Sequence, residues 1–457
     1  MQRKLSLKLY LSIIATGLTA FCGVLIETAM NVTYPTLMAQ FNVNTATIQW
    51  LTTAYLLVVA IFVPLSSFLK RRFTIKQLFV SAALLFIVGL LICTFTNHFA
   101  TLLLGRIIQG FGTGIALPLM FNIILEQAPI EKLGFFMGIG TLVTAVAPAL
   151  GPTYGGLLVE TNWHLIFGLL LVVMAVAFTL GIYAIKQVTP TKKDHLDFPS
   201  WFSIALVFVG LILGLNSLST SLSLSLVYLV IAVISLIIFI SRSLKITHPL
   251  INISVFKNKA FTLHLISFLL FQVINVGAAF VLPSYLQIVN HVSPVNAGLL
   301  LLPGAAVGAI LAPFGGRMYD AFGIRKPAYI GLSCQFLGVV LLFALAATAN
   351  IWMILLGYVL VMLGPGFTMG NTMTNGLAQI SQKENADGNA VFNTLQQFAG
   401  AFGTSIASLV MAIAQNKAYY ASSTATGAQN VFLIMIIFVV INTVSLLLGL
   451  KFAEKSE

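Results

Sequence analysis

Charge is what this chain lacks most. Asp, Glu, Lys and Arg together make up 7% of its 457 residues, where a soluble domain carries about 25%. That scarcity argues against a water-soluble globular domain. Acids are rarer still, 11 against 23 bases. There are three cysteines, Cys22, Cys93 and Cys334, all in apolar stretches, so neither a disulfide framework nor a metal-ligand set follows. No Gly-Lys-Ser/Thr phosphate loop and no His-Glu-x-x-His pair occurs, and no polar stretch is long enough for a separate domain. An enzyme or sensor built on such a motif is therefore not expected, and neither is a cofactor or a metal.

What the chain has is apolar length. It is 59% hydrophobic, and runs of about 20 residues, the length a bilayer-crossing helix needs, recur from end to end. They lie at roughly 9–34, 48–69, 76–96, 100–124, 134–158, 163–186, 200–218, 222–243, 260–285, 296–315, 328–347, 351–374, 391–416 and 429–451, each needing about 20 residues to span. With the N-terminus placed in the cytoplasm and the loops taken alternately, every basic residue outside the membrane falls inside except Lys417; Arg106 lies within a helix. Such a bias is the positive-inside rule, and a wrong helix count would scramble it. The reading is thus an all-α, multi-pass protein of the cell membrane, bacterial in type, with 14 transmembrane helices and both termini cytoplasmic. The net charge of +12 serves topology and anionic headgroups of membrane lipids, not nucleic acid. Arg3-Lys4 and the apolar run after them are read as the first span, since no small-residue cleavage site closes that run.

Two loops repeat. Pro64-Leu-Ser-Ser-Phe-Leu-Lys-Arg-Arg-Phe-Thr-Ile-Lys-Gln77 aligns without gaps on Pro313-Phe-Gly-Gly-Arg-Met-Tyr-Asp-Ala-Phe-Gly-Ile-Arg-Lys326. The first follows the second span and the second follows the tenth. Six spans, a two-span insert and six more put both loops in equivalent places. The expected organisation is an N-terminal six-helix bundle over 1–186, linkers with a two-helix insert over 187–259, and a C-terminal six-helix bundle over 260–457. Internal repeats of this kind mark transporters, with the substrate site between the halves. The seventh and eighth spans carry no embedded charge and are expected to be peripheral to the transport path.

Two embedded charges stand out. Glu27 lies in Gly23-Val-Leu-Ile-Glu-Thr-Ala-Met-Asn31, well inside the first span. An acid there is costly and marks a functional site by default. Thr16, Ala20, Gly23, Glu27 and Asn31 are spaced by three or four and share one small, polar helix face. Arg106, in the fourth span, is permanently charged and tolerable only against a polar cavity or a partner. Counted along their helices, the two sit at similar depth, about 10 Å below the outer surface, so they are candidates for a pair or a water-bridged relay. His264 in the ninth span is an alternative proton carrier.

Leu104-Gly-Arg-Ile-Ile-Gln-Gly-Phe-Gly-Thr-Gly114, Ala147-Pro-Ala-Leu-Gly-Pro-Thr-Tyr-Gly-Gly156 and the loop repeat together resemble the major facilitator superfamily. They resemble most its 14-span drug:proton antiporters of the EmrB/QacA type, with the first half closest to the lincomycin-resistance-like branch. The resemblance covers nearly the whole chain and implies the major facilitator fold. It implies a proton-coupling role for Arg106 and an antiporter motif at Pro148, Gly151, Pro152, Gly155 and Gly156, which the family associates with export. It also implies a cytoplasmic gate at Arg71, Arg72, Gly316, Asp320, Gly323 and Arg325. The first loop departs: Ser67 and Thr74 replace glycines and Arg71 stands where the acid is expected, so the latch of that half must use other partners or be weak. Asn31-Val-Thr-Tyr-Pro35 matches the family's N-V-A-L-P, but the family's usual first-span Asp falls at Ile26, one residue before Glu27.

The function implied is a secondary active multidrug efflux transporter. It would export lipophilic neutral or monocationic compounds in exchange for protons by alternating access, working as a monomer with Glu27 and Arg106 as coupling groups. A dedicated metabolite or lipid exporter, or Na⁺ in place of the proton, uses the same machinery. Among embedded amides, Asn31, Gln49, Gln109, Asn275, Asn371, Asn393 and Gln396 are candidates to line the substrate cavity. A single embedded acid implies that divalent organic cations are poor substrates.

Overall fold

The computed structural model describes residues 6–43, 45–48, 50–159, 161–191, 195–217, 221–246, 249–347, 350–414 and 419–454. Within them run α1 (Leu7–Phe41), α2 (Trp50–Arg72), α3 (Ile75–Phe95), α4 (Phe99–Gln127), α5 (Leu133–Val159), α6 (His164–Ala184) and α7 (Phe198–Ser217). They are followed by α8 (Leu222–Ser243), α9 (Lys259–Ile288), α10 (Pro294–Phe322), α11 (Arg325–Leu345), α12 (Ile351–Ala378), α13 (Asn385–Ala414) and α14 (Tyr420–Ala453). No strand occurs among the described residues. Of the described helical stretches, 13 are long and apolar enough to cross a membrane. The exception is α13, which has 30 residues but carries Asp387, Asn389, Asn393, Gln396 and Gln397 in its first half.

Several helices outrun the apolar segments read from sequence. α1 has 35 residues, about 50 Å at 1.5 Å per residue, against a hydrocarbon core of about 30 Å. It stops only where Asn42 turns into the left-handed region, φ 52°. Polar side chains satisfy the first free amides of other helices. Thr74 and Gln77 form a capping box on α3, Asn258 caps α9, Ser293 caps α10 and Asn350 caps α12.

α1 to α6 pack around α1 and α4, and α9 to α14 make a second group. Without a hydrophobic force between helices in lipid, close approach of small residues holds them. Gly105 and Gly112 bring α4 against the backbone of α3, and Gly110 brings it against the carbonyl of Tyr55 on α2. α12 repeats the device on α11 with Gly364.

Every odd-numbered helix starts at the end of the bundle where α1 starts, here the lower end. One buried apolar cluster unites the first six helices with the lower parts of the second group, including Phe261, Phe268, Met373, Phe392 and Leu450. The upper part of the second group has its own cluster, including Ile274, Leu282, Met411 and Phe432. The two groups are thus joined through one apolar cluster at the lower end, and α5 packs across the halves against α10 and α12.

Of the two insert helices, α8 is mostly exposed, whereas α7 packs into the bundle. α7 touches both α2 and α13. The indole N–H of Trp201 donates to the carbonyl of Ile61 at 3.3 Å, and its ring meets Phe62 edge to face. The cause lies in α2, where Pro64 lacks an amide and Val63–Leu65 tightens to a 3₁₀ turn. The helix ladder is broken there, and its carbonyls need donors from elsewhere.

Candidate functional site

Glu27 sits two-thirds of the way along α1 and is half-buried. It makes no hydrogen bond or ion pair among the described residues. Its turn of the helix is clamped from two sides. Gly23, one turn below, lies so close to α4 that a Cβ would fall 2.5 Å from the Thr113 hydroxyl. On another face, α5 presses its small residues onto the same turn. A Cβ on Gly151 would meet Thr28 and the Leu25 carbonyl, and one on Gly155 would come within 2.5 Å of the Ala29 carbonyl. Gly156 faces Val32 loosely, Pro148 is half-buried, and the side chain of Pro152 lies outside what is described. The motif in α5 therefore seats on the turn of α1 that carries Glu27, on a neighbouring face.

Arg106 is fully buried. Its Nε donates to the Leu51 carbonyl at 3.2 Å and its Nη1 to Gln109 Oε1 at 2.7 Å. The guanidinium lies over the Tyr55 ring, 4.1 Å from the centroid, and Nη2 is left without a partner. Glu27 and Arg106 feel one another's charge, but they do not form a direct ion pair. The direct-pair form of the sequence expectation is corrected here: α2 takes the guanidinium through Leu51 and Tyr55 before the acid can. Sequence reasoning missed Tyr55, since nothing marks it among 12 tyrosines.

At the lower end the two loop copies make two different closures. In the second copy, the Asp320 carboxylate accepts the backbone N–H groups of Gly134 at 2.8 Å and Phe135 at 2.9 Å, in the first turn of α5. A carboxylate at a helix N-terminus meets free donors and the positive end of the dipole. Gly316 lies against the backbone of Gly134, leaving no room for a side chain. Gly323, at φ 71°, closes α10. Arg325 pairs with Glu454 in an exposed position.

In the first copy Arg71 holds the acid's place and finds its acid elsewhere. Its Nη1 donates to Ser67 Oγ at 2.7 Å and to Asp387 Oδ1 at 3.3 Å, and its Nη2 to the Pro249 carbonyl at 3.1 Å. Ser67 also donates to Asp387. Asp387 is 6% exposed and opens α13, which holds in the second group the place that α5 holds in the first. The charge has changed sides. A carboxylate on the loop meets the start of α5, whereas a cation on the loop meets a carboxylate at the start of α13. The signal for Asp387 was present in the sequence, because a loop whose acid has become a base calls for an acid on the helix it faces. Arg72 is exposed. Two further bonds close this end, from Asn389 Nδ2 on α13 to the Pro118 carbonyl at 3.1 Å and to Asn122 Oδ1 at 2.9 Å, both on α4.

Residues 16–404 match the Major Facilitator Superfamily. The chain belongs to this superfamily. It is 35% identical over 422 residues to the lincomycin resistance protein LmrB of Listeria monocytogenes, covering 91% of this chain and 89% of that protein. It is 27% identical over 398 residues to the multidrug resistance protein B homolog of Mycobacterium tuberculosis, covering 84% and 73%. The fold is similar to that of the proton:xylose symporter XylE bound to 6-bromo-6-deoxy-D-glucose, with a TM-score of 0.65, 14% identity and 94% of each chain covered. This facilitator is thus a multi-pass transporter of the bacterial cell membrane and not an enzyme.

The facilitator's embedded amides divide. Gln109 is spent on Arg106 and on Cys93. Asn371 is buried and donates to the carbonyls of Gly315 at 2.9 Å and Phe367 at 2.7 Å. Asn393 is buried and bonds to Asn389. Gln109 and Asn371 thus tie neighbouring helices together, and Asn393 bonds within α13. The reason is that α4, α12 and α13 are the most enclosed helices at those levels, so an amide there must find a protein partner. Asn275 on α9 and Gln396 on α13 are half-buried, on helices that pack together. The side chain of Asn31 and the whole of Gln49 lie outside the described residues. His264 is fully buried, with Nδ1 2.7 Å from the Ala260 carbonyl and Nε2 2.8 Å from Asn375 Nδ2. A carbonyl can only accept and an amide nitrogen only donate, so the ring is held as the neutral Nδ1–H tautomer.

Proposed function

We propose that this facilitator is a drug:proton antiporter of the 14-span type, exporting lipophilic neutral or monocationic compounds by alternating access. On this reading α13 is the fourteenth span, its polar face turned away from lipid. Both termini are cytoplasmic, so the lower end is the cytoplasmic end. Residues 1–186 and 260–457 are the two rocking bodies and 187–259 the insert between them. The names of the relatives, lincomycin and multidrug resistance proteins, support the substrate class.

Glu27 carries the proposal. It is a half-buried carboxylate with no bonded partner among the described residues, on a turn of α1 that α4 and α5 both clamp. An acid embedded in the membrane without a partner is costly and marks a functional site by default, and burial favours its protonated form. With the cytoplasmic end latched, Glu27 is reachable from outside, where it takes a proton as substrate leaves. Reorientation then presents it to the cytoplasm, where arriving substrate and the loss of the proton reset the cycle. Arg71 with Asp387, and Asp320 with the start of α5, are the latches that must break on each turn.

The test is efflux from proteoliposomes of the monovalent dye ethidium and of lincomycin, under an imposed ΔpH or an imposed Na⁺ gradient. Export is expected under ΔpH alone, and Glu27→Gln is expected to abolish it while membrane levels stay unchanged. Export driven by Na⁺ alone would refute the proton as coupling ion. Undiminished ΔpH-driven export by Glu27→Gln would refute the role of the acid.

A further inference from the structure

We propose that Tyr55 is the positioning residue that keeps Arg106 from closing onto Glu27, holding acid and cation in register without letting them pair. The proposal rests on the reading of Glu27 as the coupling acid.

Tyr55 is fully buried on α2 and touches both charges' supports. Its hydroxyl lies 2.8 Å from the Gly23 carbonyl and 2.8 Å from Thr113 Oγ1. A phenol has one proton to give, and a carbonyl can only accept. The proton therefore goes to Gly23, and Thr113 serves the phenol oxygen or the Gln109 carbonyl 3.2 Å away. In an α-helix the carbonyl of residue 23 also receives the N–H of residue 27. The tyrosine thus binds α1 at the atom from which the turn bearing Glu27 hangs.

The ring does the second half of the work. The guanidinium carbon lies over it, 4.1 Å from the centroid, and Leu51, one turn away on the same helix, takes Nε. A cation over an aromatic face is attracted by the ring quadrupole, and more strongly out of water. That attraction competes with the pull of the carboxylate, which at close range would keep Glu27 permanently ionised and useless as a carrier. Removing the ring frees one face of the guanidinium, whose Nη2 already lacks a partner, and lets it swing to the acid.

The ionisable surroundings are few. Arg106 faces Glu27 from α4 and Tyr55 from α2, Cys22 lies on α1 itself near Tyr55, and Tyr34 and Cys93 adjoin Arg106. From α5, Tyr154 adjoins Cys22. Arg106 is the one permanent cation among them, so a change in its position governs the proton affinity of Glu27.

Dicyclohexylcarbodiimide reacts with protonated, sheltered carboxyl groups, so the pH at which Glu27 labelling is half-complete reports its protonation without any substrate. The labelling is read by mass spectrometry on the purified full-length protein. Tyr55→Leu is expected to lower that midpoint by about one pH unit, a tenfold loss of proton affinity. Tyr55→Phe keeps the ring, loses only the tether to Gly23, and is expected to lower it by less. The pH profile of ethidium export should move in the same direction. A midpoint unmoved in whichever of the two variants folds overturns the proposal, since a merely structural tyrosine would reduce turnover without moving the titration. Active Glu27→Gln would instead remove the reading on which the proposal rests, and the labelling midpoint is measured independently of that result.

Discussion

At the residue scale, what sequence made legible is what electrostatics makes expensive. Glu27 and Arg106 stand out because charges in apolar runs cost too much to be accidental. What became of them was not legible, because the partner of Arg106 is a ring and a carbonyl from α2, and neither type announces itself in a chain rich in both. This arrangement separates Arg from Lys. A lysine keeps the charge but has no planar face to lie on Tyr55 and no fork to reach Leu51 and Gln109 together. Arg106→Lys forfeits at least one hydrogen bond to a charged group, about 1.5–3 kcal/mol. ΔpH-driven ethidium export is therefore expected to fall about tenfold or more, with the protein still present at normal levels in the membrane. Export within a factor of two of wild type would mean that charge alone suffices.

At the element scale, periodicity and apolar length placed the helices, and they failed where a helix is long but polar. α13 was read as starting near residue 391, yet it begins at Asn385, because Asp387 and Asn389 look like loop residues until their partners on α2 and α4 are seen. The insert shows the converse. It carries no embedded charge, yet α7 supplies a hydrogen-bond donor to the broken part of α2. Trp201→Phe keeps the aromatic contact with Phe62 and removes only that donor. Loss of one hydrogen bond costs about 1 kcal/mol, so thermal unfolding should shift downward measurably. Transport should slow as well, since the kink at Pro64 lies between Tyr55 and the latch at Arg71. An unchanged melting temperature would show that water serves the Ile61 carbonyl as well as the indole does.

At the scale of the whole molecule, the two halves are joined at one end by closures of opposite polarity, and the linker after the insert takes part in one of them. Arg71 reaches the Pro249 carbonyl as well as Asp387, and Ser254 donates to Glu384 at 3.1 Å. Hydrogen bonds from Ser381 and Ser254 hold the Glu384 carboxyl below its usual range. A depressed carboxyl contributes above its unfolded value and is lost only as pH falls through the folded one. This part of the closure therefore does not respond to pH near neutrality, and on the proposed proton-coupled reading opening comes from the pairs that bridge the halves. Arg71→Asp sets two carboxylates together and orphans the Pro249 carbonyl, and Asp387→Arg sets two guanidinium groups together. Arg71 is partly exposed and Asp387 buried, and each single change replaces their attraction by a like-charge repulsion, so each should open this closure and lower ethidium export at least tenfold. The exchanged pair, Arg71→Asp with Asp387→Arg, restores the attraction but not the bond to Pro249. It should recover export to well above either single variant, though not to wild type. If the exchange is no better than the worse single variant, Arg71 and Asp387 act separately and the inverted latch is not a latch.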